Sequence, residues 1–351
     1  MENIAPARKA DYYLLVGIGI SVVLGIIVLR SIAPFLFPLY FVYIVIALLA
    51  FFIFSHIDFE VISVFSKHFY IGSIIFLILP LLIGQVTRGA IRWVPIGSLT
   101  IQPAEIVRPF LFIFFANYLT EEGLNLKRFL KALILFAVPF YLIIIQPSFG
   151  VAIITSIGFL GILLAANFEK KRILFGIVGI TAAIPIIWLL LAPYQKLRIL
   201  TFLNPTKDPY GAGYNSLQSM ISVGSGKIFG RGLGEGSQTQ LAFLPERHTD
   251  FIFASIAEEM GLVGATLLLA GGFFILSRLV HIIENSGSFA GRAYVSGFFL
   301  AMLAQIVIHA GMNMGLLPIT GVPFPLVSGG GSSLLATMIG LAVAQAARKN
   351  I

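Results

Sequence analysis

The chain has 351 residues, of which 58% are hydrophobic, 13% aromatic and 11% charged, and its mean hydropathy is +0.98; this excludes a soluble globular core and describes a polytopic membrane protein. A formal net charge of +8 resembles that of a nucleic-acid binder, but the positive residues lie between apolar runs, as topology signals do, so no nucleic-acid partner is expected. Cysteine is absent, which removes disulfides and thiolate metal sites.

Windows of about 20 apolar residues pick out ten spans in chain order: Tyr12–Leu29, Ile32–Phe54, Phe69–Val86, Ile106–Leu119, Phe129–Ile145, Phe149–Ala166, Ile173–Leu191, Phe251–Leu276, Ala293–Ala310 and Ser332–Ala347. The expected fold class is therefore an all-α polytopic membrane protein, a single membrane domain over 1–351 without a separate soluble domain. The polar, basic start MENIAPARKADYY, followed by apolar runs with no small-residue cleavage pattern between them, gives no cleavable signal peptide. With the N-terminus inside, the inner segments hold Arg8, Lys9, Lys67, Lys127, Arg128, Lys131, Lys170, Lys171, Arg172, Arg278, Arg292, Arg348 and Lys349. The short outer segments then hold only Arg30, Arg88, Arg92 and Arg108. That asymmetry predicts two cytoplasmic termini.

The first unusual outer segment, Arg88 to Pro109, carries Trp93 and then Glu105 and Arg108, which at i and i+3 share one helix face. By itself it reads more plainly as a headgroup-level tryptophan and a helix-start salt bridge. The second, 193–248, is far longer than a connection needs and is predicted to be a long extracytoplasmic loop. Its glycines invite a phosphate-loop reading, but Ile221 and Ile228 stand where a Walker loop needs glycine and Ser or Thr. Tight turns near the lipid surface are the plainer reading, and no nucleotide site is expected.

That loop closes in LPERHTDFIFASIAEEMG, Leu244 to Gly261. Thr249 is a good N-cap residue and would place Asp250 in the first helical turn, where the backbone dipole favours a carboxylate. Such acids are often only structural. Here Glu246, Arg247 and His248 crowd the same loop end, and Glu258 and Glu259 would follow about 12 to 13 Å deeper at about 1.5 Å per residue, where a carboxylate must be paired or used. Last, Gly311 to Ser333 sets prolines and glycines where a helix should enter the membrane. Such backbone is predicted to be partly re-entrant and to face a polar pocket. No internal repeat is visible, which counts against transporters built from duplicated halves.

LPERHTDFIFASIAEEMG, with QPAEIVRP (Gln102 to Pro109), RILTFLNPTKDPYGAGYNSLQSMISVGSGKIFGRGLG (Arg198 to Gly234) and GLLPITGVPFPLVSGGGSS (Gly315 to Ser333), resembles the SEDS family (shape, elongation, division and sporulation). The short termini favour its rod-shape branch over its division branch. The resemblance implies a ten-helix inner-membrane peptidoglycan glycosyltransferase that polymerises lipid II outside the cytoplasmic membrane. It also implies a cognate single-pass class B penicillin-binding transpeptidase and other elongation-complex proteins as partners. Asp250 matches the family's essential aspartate, Trp93 its outer-loop tryptophan, and Glu105 with Arg108 its acid and base pair. His248, Ser328 and Ser332 join the candidate substrate-binding residues. Three positions depart from the family pattern. Arg108 stands where lysine is usual and Ser148 where aspartate is frequent; Gly329 replaces a frequent aromatic, which predicts a more mobile loop.

Joining a sugar pyrophosphate to a hydroxyl needs a base for that hydroxyl and positive charge for the departing pyrophosphate, so one carboxylate suffices, unlike the two of glycoside hydrolysis. The expected base is Asp250, acting with inversion at the anomeric carbon. Arg108, Lys196, Arg198 and Arg247 are the candidate pyrophosphate holders, or a divalent cation (Mg2+ or Mn2+) shared with the substrate's phosphates. No protein-only metal site and no organic cofactor are expected. The rival readings are a flippase that moves lipid II between leaflets, which needs access from both faces, and an inactive scaffold for a transpeptidase.

Overall fold

In the computed structural model the described residues are 11–87, 90–121, 125–166 and 192–348, with isolated positions 178, 181, 185, 188 and 189. The chain runs through α1 (Tyr12–Ile32), α2 (Leu39–His56), the short α3 (Phe59–Val64) and α4 (Ser66–Ile83). After three strands come α5 (Pro103–Thr120), α6 (Leu126–Ile145) and α7 (Phe149–Ala165). The last part holds α8 (Pro193–Leu203), α9 (Tyr214–Ser225), the short α10 (Ser237–Gln240), α11 (Ile252–Glu284), α12 (Phe289–Asn313) and α13 (Gly331–Ala346). The expected spans all appear as helices with ends shifted by several residues, save the seventh, Ile173–Leu191, which lies outside the described residues apart from the isolated positions. Among the described residues, six helices (α1, α2, α4, α6, α11 and α12) are long and apolar enough to cross a membrane, and α7 and α13 are shorter apolar helices. Rows of large apolar side chains such as Phe52, Ile75 and Leu82 stand exposed on α2 and α4, a surface suited to lipid.

Small residues set the packing. In α1, Gly17, Ser21 and Gly25 recur every fourth residue on one face. An added Cβ at Gly17 would stand 3.0 Å from Phe274 and Ile275 of α11, and one at Gly25 would stand 2.9 Å from the Val327 carbonyl. Between α7 and α12 the backbones nearly touch, since a Cβ at Gly161 would lie 2.9 Å from the Cα of Gly297. Without a hydrophobic force between helices in lipid, such close approach supplies the cohesion. α5 is too polar to count as a simple span, yet it is buried along most of its length against α4, α7, α12 and α13.

One end of the bundle is tied by Asp11, which caps α1 through Leu14 N and pairs with Arg278 at 2.8 Å and Arg348 at 3.6 Å. The start of α1, the far part of α11 and the residues after α13 therefore meet there.

The helical membrane architecture holds, and the structure adds to or corrects the sequence reading in three places. First, a small sheet joins the helices: β1 (Gln85–Thr87), β2 (Ala90–Ile96) and β3 (Leu99–Ile101) form an antiparallel sheet at the end opposite Asp11. Proline at 95 and glycine at 97, with φ +62, hid this meander from a pattern search tuned to apolar runs. Second, the long segment 193–248 carries helices that the sequence reading did not place, α8 and α9, with α9 packed on α11 and α12, and so forms a folded cover. Third, α11 breaks at Gly261 (φ 67, ψ −161), so the segment 252–260 does not continue the axis of the spanning part. Glu258 and Glu259 are accordingly not deeper than Asp250 along one straight helix. Gln240 Nε2 donates both to Glu259 (2.7 Å) and to the carbonyl of Ser31 (3.2 Å), which sits next to the last residue of α1. Both acids bind the cover: Glu258 accepts from the N–H of Gln238 (2.9 Å) and Thr239 (3.0 Å), and Glu259 from that of Gly234 (3.2 Å).

Candidate functional site

Asp250 lies in a turn ahead of α11. The helix begins at Ile252 with Phe251 at the cap position and no side-chain cap bond, and the Thr249 hydroxyl donates to Glu246 instead. The expected first-turn position of Asp250 is thus corrected by two residues, and the helix dipole is not what fixes it. The coil 314–330 faces this turn. It leaves α12, packs on the start of α7 at Gly150 through Thr320 and Val322, and reaches Gly25 of α1 through Val327. It therefore descends about 10 Å below the end of α1 at about 1.5 Å per residue, the re-entrant course expected for it. A Cβ added at Gly321, in the left-handed region at φ +68, would stand 3.4 Å from the Asp250 carboxylate, so the coil passes close to the acid.

The second wall is the start of α5. Pro103 opens the helix with its φ already set, and the residues ahead of it are pinned from three sides. Tyr43 of α2 exchanges hydrogen bonds with Thr100, Gln102 N donates to Ser332 Oγ at 2.8 Å, and Gln102 Nε2 donates to Ser148 Oγ at 3.1 Å. Ser148 thus does as a neutral acceptor what an acid could do at that position. Glu105 and Arg108 are buried there, and Glu105 lies within electrostatic reach of Arg108, of Arg92 on β2 and of Asp250. The Nε groups of Arg92 and Arg108 are both buried with no hydrogen-bond partner among the described residues. Two orphaned guanidinium donors beside a carboxylate pair make a place for an anion with several oxygens.

The sequence-predicted residues divide accordingly. Asp250, Glu105 and Arg108 are brought together. Trp93 alternates with Arg92 along β2, so it points to the opposite face of the strand. Arg247 donates from Nε to the Ile32 carbonyl at 3.0 Å, and Lys196 to the Leu189 carbonyl at 3.3 Å, so both are engaged by backbone. Arg198 donates to the Ile319 carbonyl at 3.3 Å, two residues from Gly321, beside a cavity of about 260 Å³ lined by Leu197, Phe202, Leu317 and Ile319. The His248 ring meets Phe35 edge to face. Ser332 and Ser328 hold backbone, the latter donating to the Thr249 carbonyl at 2.9 Å. Gly329 is not a loose point: its N–H donates to the His248 carbonyl at 2.7 Å, and a Cβ there would come within 2.9 Å of Leu36. A side chain added there would require the tips of Leu36 and Leu29 to give.

Sequence reasoning missed Arg92, Gln102 and Asn313. A signal existed for the last: Gln305, His309 and Asn313 recur every fourth residue in an apolar helix, a polar stripe that must meet partners. For a metal, the described residues contain no group of three His, Cys, Asp or Glu side chains. The carboxylates of Asp250 and Glu105 fit a divalent ion only if substrate oxygens complete its shell.

A family model described as "Cell cycle protein" (FTSW_RODA_SPOVE) matches residues 12–350. The chain is 38% identical over 281 residues to the peptidoglycan glycosyltransferase MrdB of Escherichia coli K12, covering 79% of this chain and 76% of that protein. It is 32% identical over 360 residues to the probable peptidoglycan glycosyltransferase FtsW of Wigglesworthia glossinidia brevipalpis, covering 95% and 91%. Among solved structures, a chain from a study of structural coordination of polymerization and crosslinking by a peptidoglycan synthase complex superposes with a TM-score of 0.84 at 27% identity, over 97% of each chain. The rod shape determining protein RodA of Thermus thermophilus superposes with a TM-score of 0.73 at 26% identity, also over 97% of each.

Proposed function

This chain belongs to the SEDS family and is a peptidoglycan glycosyltransferase, and from that premise we propose that it polymerises lipid II at the Asp250 end of the bundle, on the outer face of the cytoplasmic membrane, during cell elongation. Asp250 takes the proton of the acceptor sugar's 4-hydroxyl as that oxygen attacks the anomeric carbon of the lipid-linked donor. The new C–O bond forms with inversion, and the old one breaks towards the pyrophosphate, which departs as an anion and needs no acid. Arg108 and Arg92 receive its charge. The observation that carries this reading is the placing of Asp250 and Glu105 within electrostatic reach of two arginines, Arg108 and Arg92, whose Nε atoms are buried with no hydrogen-bond partner among the described residues.

Glu105 has a second part: it offsets the two arginines in the empty site, so that the pyrophosphate is held without being trapped. Asp250 and Glu105 are the residues that would help to hold a divalent ion, Mg2+ or Mn2+, with the substrate's phosphates, and the ion would supply further positive charge to the leaving group. The polyprenyl tails lie against exposed apolar helix faces. The partner is a single-pass class B penicillin-binding transpeptidase, supported by the similarity to a chain of a complex that coordinates polymerization with crosslinking. Glycan formation from labelled lipid II by the purified protein, with and without that partner, tests the reading; movement of lipid II across vesicles without polymer would contradict it.

A further inference from the structure

We infer that Asn313 and Ser328 are positioning residues for Asp250, holding the turn that carries it by its backbone; the inference rests on the reading of Asp250 as the base. Three successive carbonyls of that turn each accept one hydrogen bond from another element: His248 O from Gly329 N (2.7 Å), Thr249 O from Ser328 Oγ (2.9 Å) and Asp250 O from Asn313 Nδ2 (3.0 Å). No helix cap does this work, because α11 begins two residues later without a side-chain cap bond. The carboxylate is therefore registered to α12 and to the re-entrant coil.

The side chains that do the holding are themselves fixed. Asn313 is 0% exposed. Its second N–H donates to His309 O at 2.8 Å, its Oδ1 accepts from Ala254 N at 3.0 Å, and its own carbonyl accepts from Ser219 Oγ at 2.8 Å. A flipped amide would set N–H against N–H at Ala254, so the orientation follows from the network. The Ser328 hydroxyl, buried too, accepts from Phe324 N at 2.7 Å and so closes the coil's own turn with the same oxygen that holds Thr249. One and two turns earlier on the Asn313 face, His309 Nδ1 donates to Val322 O (2.6 Å) and Gln305 Nε2 to Pro323 O (2.9 Å). Coil and acid turn are thus keyed to one stripe of α12. Any one of these bonds contributes little to the net stability of the fold, whereas a shift of the base by about 1 Å costs about 10²-fold in rate. Loss of one clamp is therefore felt in turnover before it is felt in stability.

The test uses the purified full-length protein with its transpeptidase partner and labelled lipid II. Asn313→Asp keeps the acceptor for Ala254 N and removes the donor to Asp250 O; Ser328→Ala, a smaller change, removes only the hydroxyl. Thermal unfolding and elution volume count the folded fraction of each. Per folded molecule, kcat should fall about 10²-fold while lipid II affinity is unchanged, and in an Asp250→Asn background Ser328→Ala should cost nothing further. Normal kcat per folded Ser328→Ala molecule would overturn the inference, as would an additional loss in the Asp250→Asn background. Normal turnover of Asp250→Asn alone is a separate result: it would remove the base reading and the clamp's purpose with it.

Discussion

Glu105 and Arg108, three residues apart on the first turns of α5 and only 5% and 4% exposed, are coupled electrostatically without closing a direct ion pair among the described residues. A buried acid and base that stay apart are not a helix-start salt bridge. Each retains capacity for a third, charged group, and the unpartnered Nε of Arg108 shows where that capacity lies.

Arg108→Gln removes the cation from this place and keeps a hydrogen-bonding side chain. A charge-assisted contact is worth about 1.5–3 kcal/mol, or about 10- to 100-fold in affinity, so lipid II binding should weaken by that factor. Glu105→Gln should instead cut polymer formation sharply in a protein that remains folded. Near-normal turnover of Glu105→Gln, measured beside its unfolding temperature, would return the pair to a structural role.

Glu258→Ala deprives the N–H groups of Gln238 and Thr239 of their acceptor. Each buried, unsatisfied donor costs about 1–3 kcal/mol, and the expected outcome is a cover that opens locally. Hydrogen exchange over residues 226–242 should accelerate while α5 and α12 keep their protection. Unchanged exchange in that segment would mean that Glu258 does not hold the cover.

Gly261→Ala meets two obstacles: a φ of +67, and the backbone of Ile228 and Gly230 where the methyl would stand. Left-handed strain costs about 1–3 kcal/mol before any clash is counted. A marked fall in unfolding temperature is expected. Gly19→Ala, on a helix face with nothing within 4 Å, is the matched control and should be neutral or slightly stabilising. Equal stability of the two variants would contradict the kink.

Much of this molecule was legible in its sequence because lipid imposes one rule on every span, a run of apolar residues about 20 long. α1, α2, α4 and α6 follow it, and even α5 was found, although it is held by protein rather than by lipid. The re-entrant coil was legible from its prolines and glycines. What escaped depends on contacts between distant segments: the kink at Gly261 is set by the backbone of Ile228 and Gly230, which no local pattern at 252–284 reveals. A helix start read from Thr249 alone missed that three carbonyls in the turn were already claimed from outside. Of the four cations singled out for the pyrophosphate, Arg247, Lys196 and Arg198 are engaged by carbonyls, while Arg92, counted only as a topology charge, lies within electrostatic reach of Glu105.

Ser237 is exposed at the start of α10, in the cover that the charge asymmetry assigns to the outer face. In this cysteine-free chain, Ser237→Cys should react with an impermeant thiol reagent in intact cells. Labelling only after permeabilisation would reverse the orientation and remove access to a substrate presented outside.

The central claim is that Asp250 is the base, and polymer yield measured against lipid II binding for Asp250→Asn tests it most directly. The amide keeps the size of the side chain and its hydrogen-bonding capacity, but it cannot take the proton. Removing a positioned base typically costs about 10² to 10⁴-fold, and Asp250→Glu should recover little, because its carboxylate is displaced by one methylene against a fixed coil. Retained lipid II binding with polymer formation reduced by that factor is the predicted result. Polymer at more than about a tenth of the normal rate, set against that expected loss, would contradict it.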